Sequence, residues 1–513
     1  MDFFHALPVS IWTEGPERLE GDLLAVPAFE GDDFSDIQGL DAATGGEAAR
    51  LVASGELGHK GFEGAVVSLT GGRFAARRLL LVGVGRAAVL DADVARKLGT
   101  VAAFAARQRR SPRLIVRLRR LEPTAAVAAN EPLRVVQAAA EGLVIGQLET
   151  ASYKTIEPRA GDLASVTLAL PPGLDAAAAA RAAERGRLLG EATNQARALA
   201  NLPPNVLTPA ALADAAESLA EGTRLQVDVL GEDRIAAENM GLLLGVARGS
   251  AEPPRLIVLS HEPQGAPAAP ALGLVGKGIT FDTGGISIKP ADGMDRMKVD
   301  MTGGASVIAA MRAISLLGVP TRVMGVVPCA ENMPGGRALR PGDILTSASG
   351  STVEIVNTDA EGRLILGDAL WYTRKLGATH LVDVATLTGA CGVALGRHMS
   401  ALFAAPGTWE QAVLRASQLA GDRLWPMPLH DDYLDQLKSE VADMINSGGR
   451  YGGAITAAMF LKQFVGSVPW AHLDIASTAW VDDPKPWQAK GASGVSVRTL
   501  VELAAAGPPP REG

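Results

Sequence analysis

Residues 352–376 confine this chain to a small set of architectures. Thr352-Val353-Glu354-Ile355-Val356 alternates and reads as a strand, while apolar positions from Leu364 to Leu376 recur at helical spacing. Between them, Asn357-Thr358-Asp359-Ala360-Glu361-Gly362-Arg363 places two acids and an arginine at a strand-to-helix turn. Open α/β sheets hold ligands there, outside the carboxyl ends of their strands. A second stretch has the same character: Gly276-Lys277-Gly278-Ile279-Thr280-Phe281-Asp282-Thr283-Gly284-Gly285, then Lys289, then Lys298-Val299-Asp300. Asp282, Asp300, Asp359 and Glu361 are thus set among glycines and flanked by apolar strands.

Carboxylates gathered at the ends of buried strands repel one another and lose hydration, so they either take up protons or hold cations. Bridging carboxylates can hold two divalent ions about 3.5–4 Å apart and ready a shared water for attack. No His or Cys clusters with these acids, which points to oxygen-rich ligation, suited to manganese or magnesium and compatible with zinc. Taken alone, each acid has an ordinary reading as a turn residue or as the partner of a nearby Lys or Arg. Taken together at this spacing, the four favour metal.

The remaining pattern is that of an α/β chain. With 513 residues it is too long for one ordinary domain, and two are expected. Before residue 170, strand-like runs at Asp22–Pro27, Arg78–Val84 and Arg113–Leu118 alternate with helical runs at Asp91–Arg107 and Pro132–Gln147, which argues for a mostly parallel, covered sheet. The Ala-rich run Leu174–Ala200 reads as a connecting helix across 171–200, stopped at Pro203-Pro204. Thr208-Pro209 then reads as the N-cap and first turn of the next helix. The second domain, 201–513, shows strands at Leu225–Leu230, Arg255–Ser260, Ala271–Val275, Thr321–Val327, Thr352–Val356, His380–Ala385 and Ala471–Asp474, with helices at Gly303–Leu317, Glu361–Leu376, Thr408–Leu419 and Ala454–Phe464. A net charge of −8 disfavours a nucleic-acid role, although Arg107, Arg109, Arg110, Arg117, Arg119 and Arg120 could form a local basic patch. Cys329 and Cys391 are expected as buried thiols rather than a disulfide. No basic segment followed by an apolar one opens the chain, and no run of about 18 apolar residues is free of charge, so neither a leader nor a membrane span is expected.

The octapeptide Asn357-Thr358-Asp359-Ala360-Glu361-Gly362-Arg363-Leu364 is similar to the signature of the leucyl aminopeptidase family, the cytosol aminopeptidases. The resemblance continues through Gly276–Asp300, Ala330-Glu331-Asn332-Met333-Pro334, Ala385-Thr386-Leu387-Thr388-Gly389-Ala390 and Pro469–Ala476, and is dense from Asn201 to Leu503. It implies a smaller N-terminal α/β, macro-like domain at 1–170, used in assembly, and a larger C-terminal three-layer α/β/α catalytic domain with a mixed sheet. It also implies a cytoplasmic homohexamer that cleaves the N-terminal residue, preferably Leu or another apolar one, from peptides, with two Mn2+ or Zn2+ ions per subunit and a bicarbonate.

The resemblance carries over residue by residue. Lys277, Asp282, Asp300, Asp359 and Glu361 match metal ligands, Asp282 and Glu361 as bridges. Lys289 matches an electrophilic lysine that stabilises the oxyanion. Arg363 matches the arginine that holds bicarbonate; paired with Glu361, it would have a plain structural reading. Met297, Thr386 and Leu387 match positions lining the side-chain pocket. Alternation along an extended segment would put Asp359 and Glu361 on one side. A di-metal phosphoesterase and a DNA-binding accessory role are the rival readings. Three positions depart from the family's usual residues: Gly304 and Gly367, where alanine is common, and Ser477, where glycine is.

Overall fold

The computed structural model describes residues 7–57, 61–85, 90–121, 131–149, 153–156, 160–266, 269 and 271–509. Residues 1–6, where the leader was sought, lie outside them. The chain separates into two compact units. One holds Asp2–Asn194 and a returning segment, Asp482–Lys490; the other holds Gln195–Val481 and Gly491–Gly513. The helix expected over Leu174–Ala200 is present as Ala176–Asn201, and the division falls inside it.

The first unit is built on strands β1 (Val9–Trp12), β2 (Leu23–Phe29), β3 (Gly64–Ser68), β4 (Arg78–Gly85), β5 (Arg113–Arg117) and β6 (Ser165–Ala169), ordered β1-β6-β5-β2-β4-β3. Every neighbour pair is parallel except β3–β4. Central β2, Leu-Leu-Ala-Val-Pro-Ala-Phe, is buried along its whole length, as a parallel strand covered on both faces requires. Asp91 caps the Ala92–Gln108 helix, its carboxylate accepting from Val94 N at 2.8 Å. Half of the basic patch is not a surface: Arg109 and Arg110 are exposed and Arg120 is half-buried, but the other three arginines are not available. Arg107, Arg117 and Arg119 are buried. Arg107 pairs with Glu149 at 3.1 Å, Arg117 donates to a backbone carbonyl, and Arg119 is gripped by Asp32 and Asp36.

The second unit contributes, in chain order, β7 (Gln226–Leu230), β8 (Arg255–His261), β9 (Ala271–Gly276), β10 (Gly278–Asp282), β11 (Arg322–Asn332), β12 (Ile344–Thr346), β13 (Thr352–Glu354), β14 (His380–Ala385), β15 (Ser400–Ala405), β16 (Leu424–Pro426), β17 (Met444–Ile445), β18 (Trp470–Asp474), β19 (Trp480–Val481) and β20 (Gly491–Ala492). Nine form a mixed sheet, ordered β16-β15-β18-β14-β9-β11-β8-β7, with β10 pairing off the end of β11. The Thr302–Leu316 helix packs with Val497–Ala506 and Pro209–Ala220, and the Glu361–Lys375 helix with Gly241–Ala247 and Gly453–Val465. Both groups contact the central strands β9 and β11, and among the described residues they share no extensive contact with each other, as helices on opposite faces would. This is the expected three-layer arrangement. Thr208 caps the Pro209–Ala220 helix as its sequence predicts. Cys329 and Cys391 are buried free thiols. Among the described residues no helix is long and apolar enough to cross a membrane.

Two expectations change. Thr352–Glu354 belongs to a separate sheet, β12-β13-β17, so the acid-bearing turn does not follow a strand of the main sheet. Gly278–Asp282, glycine-bounded and not predicted as a strand, is one, parallel to β11. The second unit's helices meet its strands without spacers. A Cβ on Gly303 would lie 2.0 Å from Val384 O, and one on Gly276 would lie 2.6 Å from Gly303 O.

Buried Asp368 ties the layers together from the middle of the Glu361–Lys375 helix. Its Oδ2 accepts from Leu242 N at 2.9 Å and Leu243 N at 3.0 Å, and its Oδ1 from Ala348 N at 2.7 Å. It thus satisfies the free N–H groups at the start of the Gly241–Ala247 helix from a distance. Asp368→Asn preserves the shape but aims a donor at donors. We expect a loss of about 1–3 kcal/mol, read as a lower urea midpoint at unchanged m-value; a wild-type midpoint would show that the carboxylate contributes nothing.

Candidate metal centre

Three main-sheet strands and one helix start bring the site together. Lys277 stands between β9 and β10, and its backbone is clamped from both sides: its N–H donates to Val384 O at 3.1 Å and its carbonyl accepts from Gly304 N at 2.8 Å. Asp282 ends β10. Asp300 follows a short 3-10 turn at Met294–Val299, and Glu361 opens the Glu361–Lys375 helix. Gly362 is required by close approach: a Cβ there would lie 2.6 Å from Lys277 Cε.

The five residues matched as ligands converge, with Lys289 among them. Lys277 Nζ is 2.6 Å from Asp300 Oδ2 and 2.8 Å from Glu361 Oε1, and donates to Thr386 O at 3.1 Å. Lys289 Nζ is 2.7 Å from Asp282 Oδ2 and pairs closely with Asp359. Carboxylate oxygens of Asp282, Asp359 and Glu361 lie within 4.8 Å of one another. The last two face the same place because the chain turns into a helix after Asp359, not because an extended segment alternates. Thr386 Oγ1 donates to Asp300 Oδ1 at 2.7 Å, and Met297 O accepts from Asp300 N, so both flank the acids. Leu387 N donates to Asp474 Oδ1 at 3.2 Å.

Charge is concentrated here at low exposure. Burial raises Asp282, Asp300 and Asp359 above the usual carboxylate range; Glu361 adds to this at Asp282 and Asp300, while the lysines pull the other way. Burial works against the Lys277 ammonium, but Asp300, Glu361 and Asp282 more than reverse it. Lys289 is likewise raised, with Asp282 foremost among the acids that outweigh its burial. Burial draws the Arg363 guanidinium down to about 10, against Glu361 and Asp474. Its Nη1 donates to Asn446 O at 3.1 Å and its Nε has no partner. Among the described residues no carboxylate lies at ion-pair distance from Arg363, so the plain pairing with Glu361 is not what is found.

A divalent cation fits this donor set. Buried Asp300 Oδ2, Asp359 Oδ1 and Glu361 Oε2 accept no hydrogen bond; the first two meet lysine ammonium groups at ion-pair distance only. Buried lone pairs left unsatisfied in a set of oxygens are what a hard cation takes up.

Several residues without an assigned role hold the two segments in place. Asn332, at the end of β11, donates to Asp282 Oδ1 at 2.8 Å and to Thr358 O at 3.0 Å. Thr358 Oγ1 donates to Gly284 O at 2.6 Å and accepts from Ser287 N at 2.8 Å. Asn446 Oδ1 accepts from Val356 N at 2.9 Å and its Nδ2 donates to Asn357 O at 2.7 Å. Asn332 and Thr358 lie inside the motifs quoted above; Asn446 lies in none, and nothing local distinguishes it. The departures from the usual residues are local fits. A Cβ on Gly304 would lie 2.6 Å from Val327 Cγ1, one on Gly367 would press on the Phe464 ring at 3.1 Å, and Ser477 Oγ donates to Met399 O at 2.6 Å.

Residues 194–501 match the catalytic domain of the cytosol aminopeptidase family and residues 25–157 its N-terminal domain. The chain is 48% identical over 489 residues to a probable cytosol aminopeptidase of Solibacter usitatus, covering 95% of this chain and 97% of that one. It is 44% identical over 509 residues to another from Koribacter versatilis, covering 97% and 99%. Among solved structures, the bottromycin maturation enzyme BotP in complex with Mn superposes with a TM-score of 0.80 at 36% identity, covering 95% of this chain and 99% of that one. A mutant tomato leucine aminopeptidase superposes with a TM-score of 0.85 at 32% identity, covering 98% and 97%. On both domains and nearly its full length, the chain belongs to the cytosol aminopeptidase family.

Proposed function

We propose that this aminopeptidase holds two divalent cations on Lys277, Asp282, Asp300, Asp359 and Glu361 and removes N-terminal residues, Leu and other apolar ones preferred, from peptides. The observation that carries this reading is the set of buried carboxylate oxygens that lack hydrogen bonds and are met only by two lysines. Two divalent ions would balance the four carboxylates without either lysine. Manganese is favoured by the Mn complex of the related BotP, and zinc is compatible with the same ligands. When bound, such ions lower the pKa of a shared water and polarise the scissile carbonyl, and a bicarbonate on Arg363 supplies a general base.

The chain's own residues do the rest. The Lys289 ammonium, free to leave Asp282 and Asp359 once cations hold them, faces charge developing on the carbonyl oxygen. Buried Arg363, with an unpartnered Nε and, among the described residues, no carboxylate at ion-pair distance, presents a donor fork to a planar oxyanion. Asn332 and Thr358 keep Asp282 and Asp359 at fixed separation. In this reading Met297 and Thr386, which bond to Asp300, and the adjoining Leu387 receive the N-terminal side chain, Met offering an adaptable apolar surface. The relatives' names support a cytoplasmic enzyme, and we include the homohexamer implied by family resemblance in this reading.

Lys289→Ala is expected to lower kcat by about 10²–10³-fold while metal content, measured on the purified protein, stays at the wild-type level; parallel loss of metal would make Lys289 structural. Asp282→Asn and Glu361→Gln are each expected to remove metal and leucine-amide hydrolysis together. Full activity in either variant would rule out a bridging role.

A further inference from the structure

A cavity of about 470 Å³ lies in the catalytic unit, lined by none of the residues of the carboxylate centre. Its size falls within the range of about 300–1,000 Å³ usual for small-molecule sites. Its walls come from 247–254 and 336–340. These segments are held main chain to main chain: a Cβ on Gly249 would lie 1.9 Å from Met333 O, and one on Gly335 would lie 2.7 Å from Gly249 O. The cavity is therefore a built feature rather than a gap between mobile side chains.

Of the charged side chains that line it, Arg340 is held by Asp343 at 2.8 Å, and others are, among the described residues, left without a partner. Arg248 and Arg337 line it, and among the described residues neither side chain makes an ion pair or hydrogen bond. Glu252 also lines it, and no base pairs with its carboxylate. Behind Ser250, whose Oγ donates to Glu331 Oε2 at 2.5 Å, lies a second carboxylate without a basic partner. Burial, with Glu252 adding to it, holds Glu331 above its ordinary range. Opposite charges in one cavity that do not reach each other call for a ligand carrying both. Between them, Leu244 and Ala338 offer apolar surface.

We propose that this cavity binds a free α-amino acid with an apolar side chain, its carboxylate toward Arg248 and Arg337 and its ammonium toward Glu252 and the Ser250–Glu331 pair. This is the class of molecule an aminopeptidase releases, so the site would sense product without belonging to the carboxylate centre. Glu331 and Asn332 are successive residues of β11, one facing each site.

The test is equilibrium dialysis of labelled L-leucine against the full-length Asp282→Asn protein, in which the carboxylate centre is compromised. One leucine per chain is expected to remain bound, and adding Arg248→Glu and Arg337→Glu should weaken it by about tenfold or more. Isovalerate and isopentylamine, each lacking one of the two charges, should compete about tenfold less well than leucine. The same two arginine substitutions in an otherwise wild-type chain should leave leucine-amide hydrolysis without added leucine unchanged, which shows that the variant folds. No leucine on the Asp282→Asn protein, binding indifferent to the arginines, or equal competition by either analogue would overturn the proposal. Failure of the metal reading would show separately, as full activity in Asp282→Asn.

Discussion

Burying a carboxylate costs several kilocalories per mole unless a cation meets it, and Asp282, Asp300 and Glu361 are all but removed from solvent. The layout of the catalytic unit answers to that cost. Lys277 reaches Asp300 and Glu361, and Lys289 reaches Asp282 and Asp359, so each lysine bridges acids drawn from different segments. Two single charges against four leave the acids under-neutralised, with Glu361 Oε2 meeting neither lysine. The protein has assembled a deficit of positive charge in a fixed place, and the chemistry proposed for it follows from that deficit.

Holding such a set together needs neutral groups as much as charged ones. Asn332 and Thr358 span the two acid-bearing segments, and Asn446 secures the approach to the octapeptide and a guanidinium nitrogen of Arg363. Amides and hydroxyls do this without adding charge to a site already crowded with it, and each satisfies buried backbone groups that would otherwise be stranded. On the far side, Asp474 accepts from Leu387 N, Thr388 N and Thr388 Oγ1 and so shapes the turn that touches Asp300 through Thr386.

Strong periodicity made much of the fold legible. His380–Ala385 and the helix after Asp359 lie where their patterns place them, because buried strands and amphipathic helices write burial into local spacing. What was missed depends on partners distant in sequence. The Thr352–Glu354 strand reads correctly as a strand, but its sheet is decided by Ile344–Thr346 and Met444–Ile445. Gly278–Asp282 carries Ile279, Thr280 and Phe281 but is short and opens on a glycine, and it is held by register with β11. Arg119 reads as a surface cation until Asp32 and Asp36, more than eighty positions away, are folded onto it. The acids of the centre were legible because they sit in compact motifs; Asn446 was not, because its hydrogen bonds run to residues 83 to 92 positions away.

The contact between Gly303 and β14 bears on how this enzyme can diverge. With Val384 O where a Cβ would be, and Lys277 clamped by Val384 and Gly304 through main-chain bonds, the position of Lys277 is inherited from the backbone and not from side-chain packing. Substitutions elsewhere in the core can repack the sheet without retuning this lysine, and an added methyl at Gly276 or Gly303 would shift it abruptly. Gradual drift in selectivity is thereby channelled to exposed positions such as Ile286 and Ile288, which lie in sequence between Asp282 and Lys289, stand open to solvent and can change without disturbing the clamp.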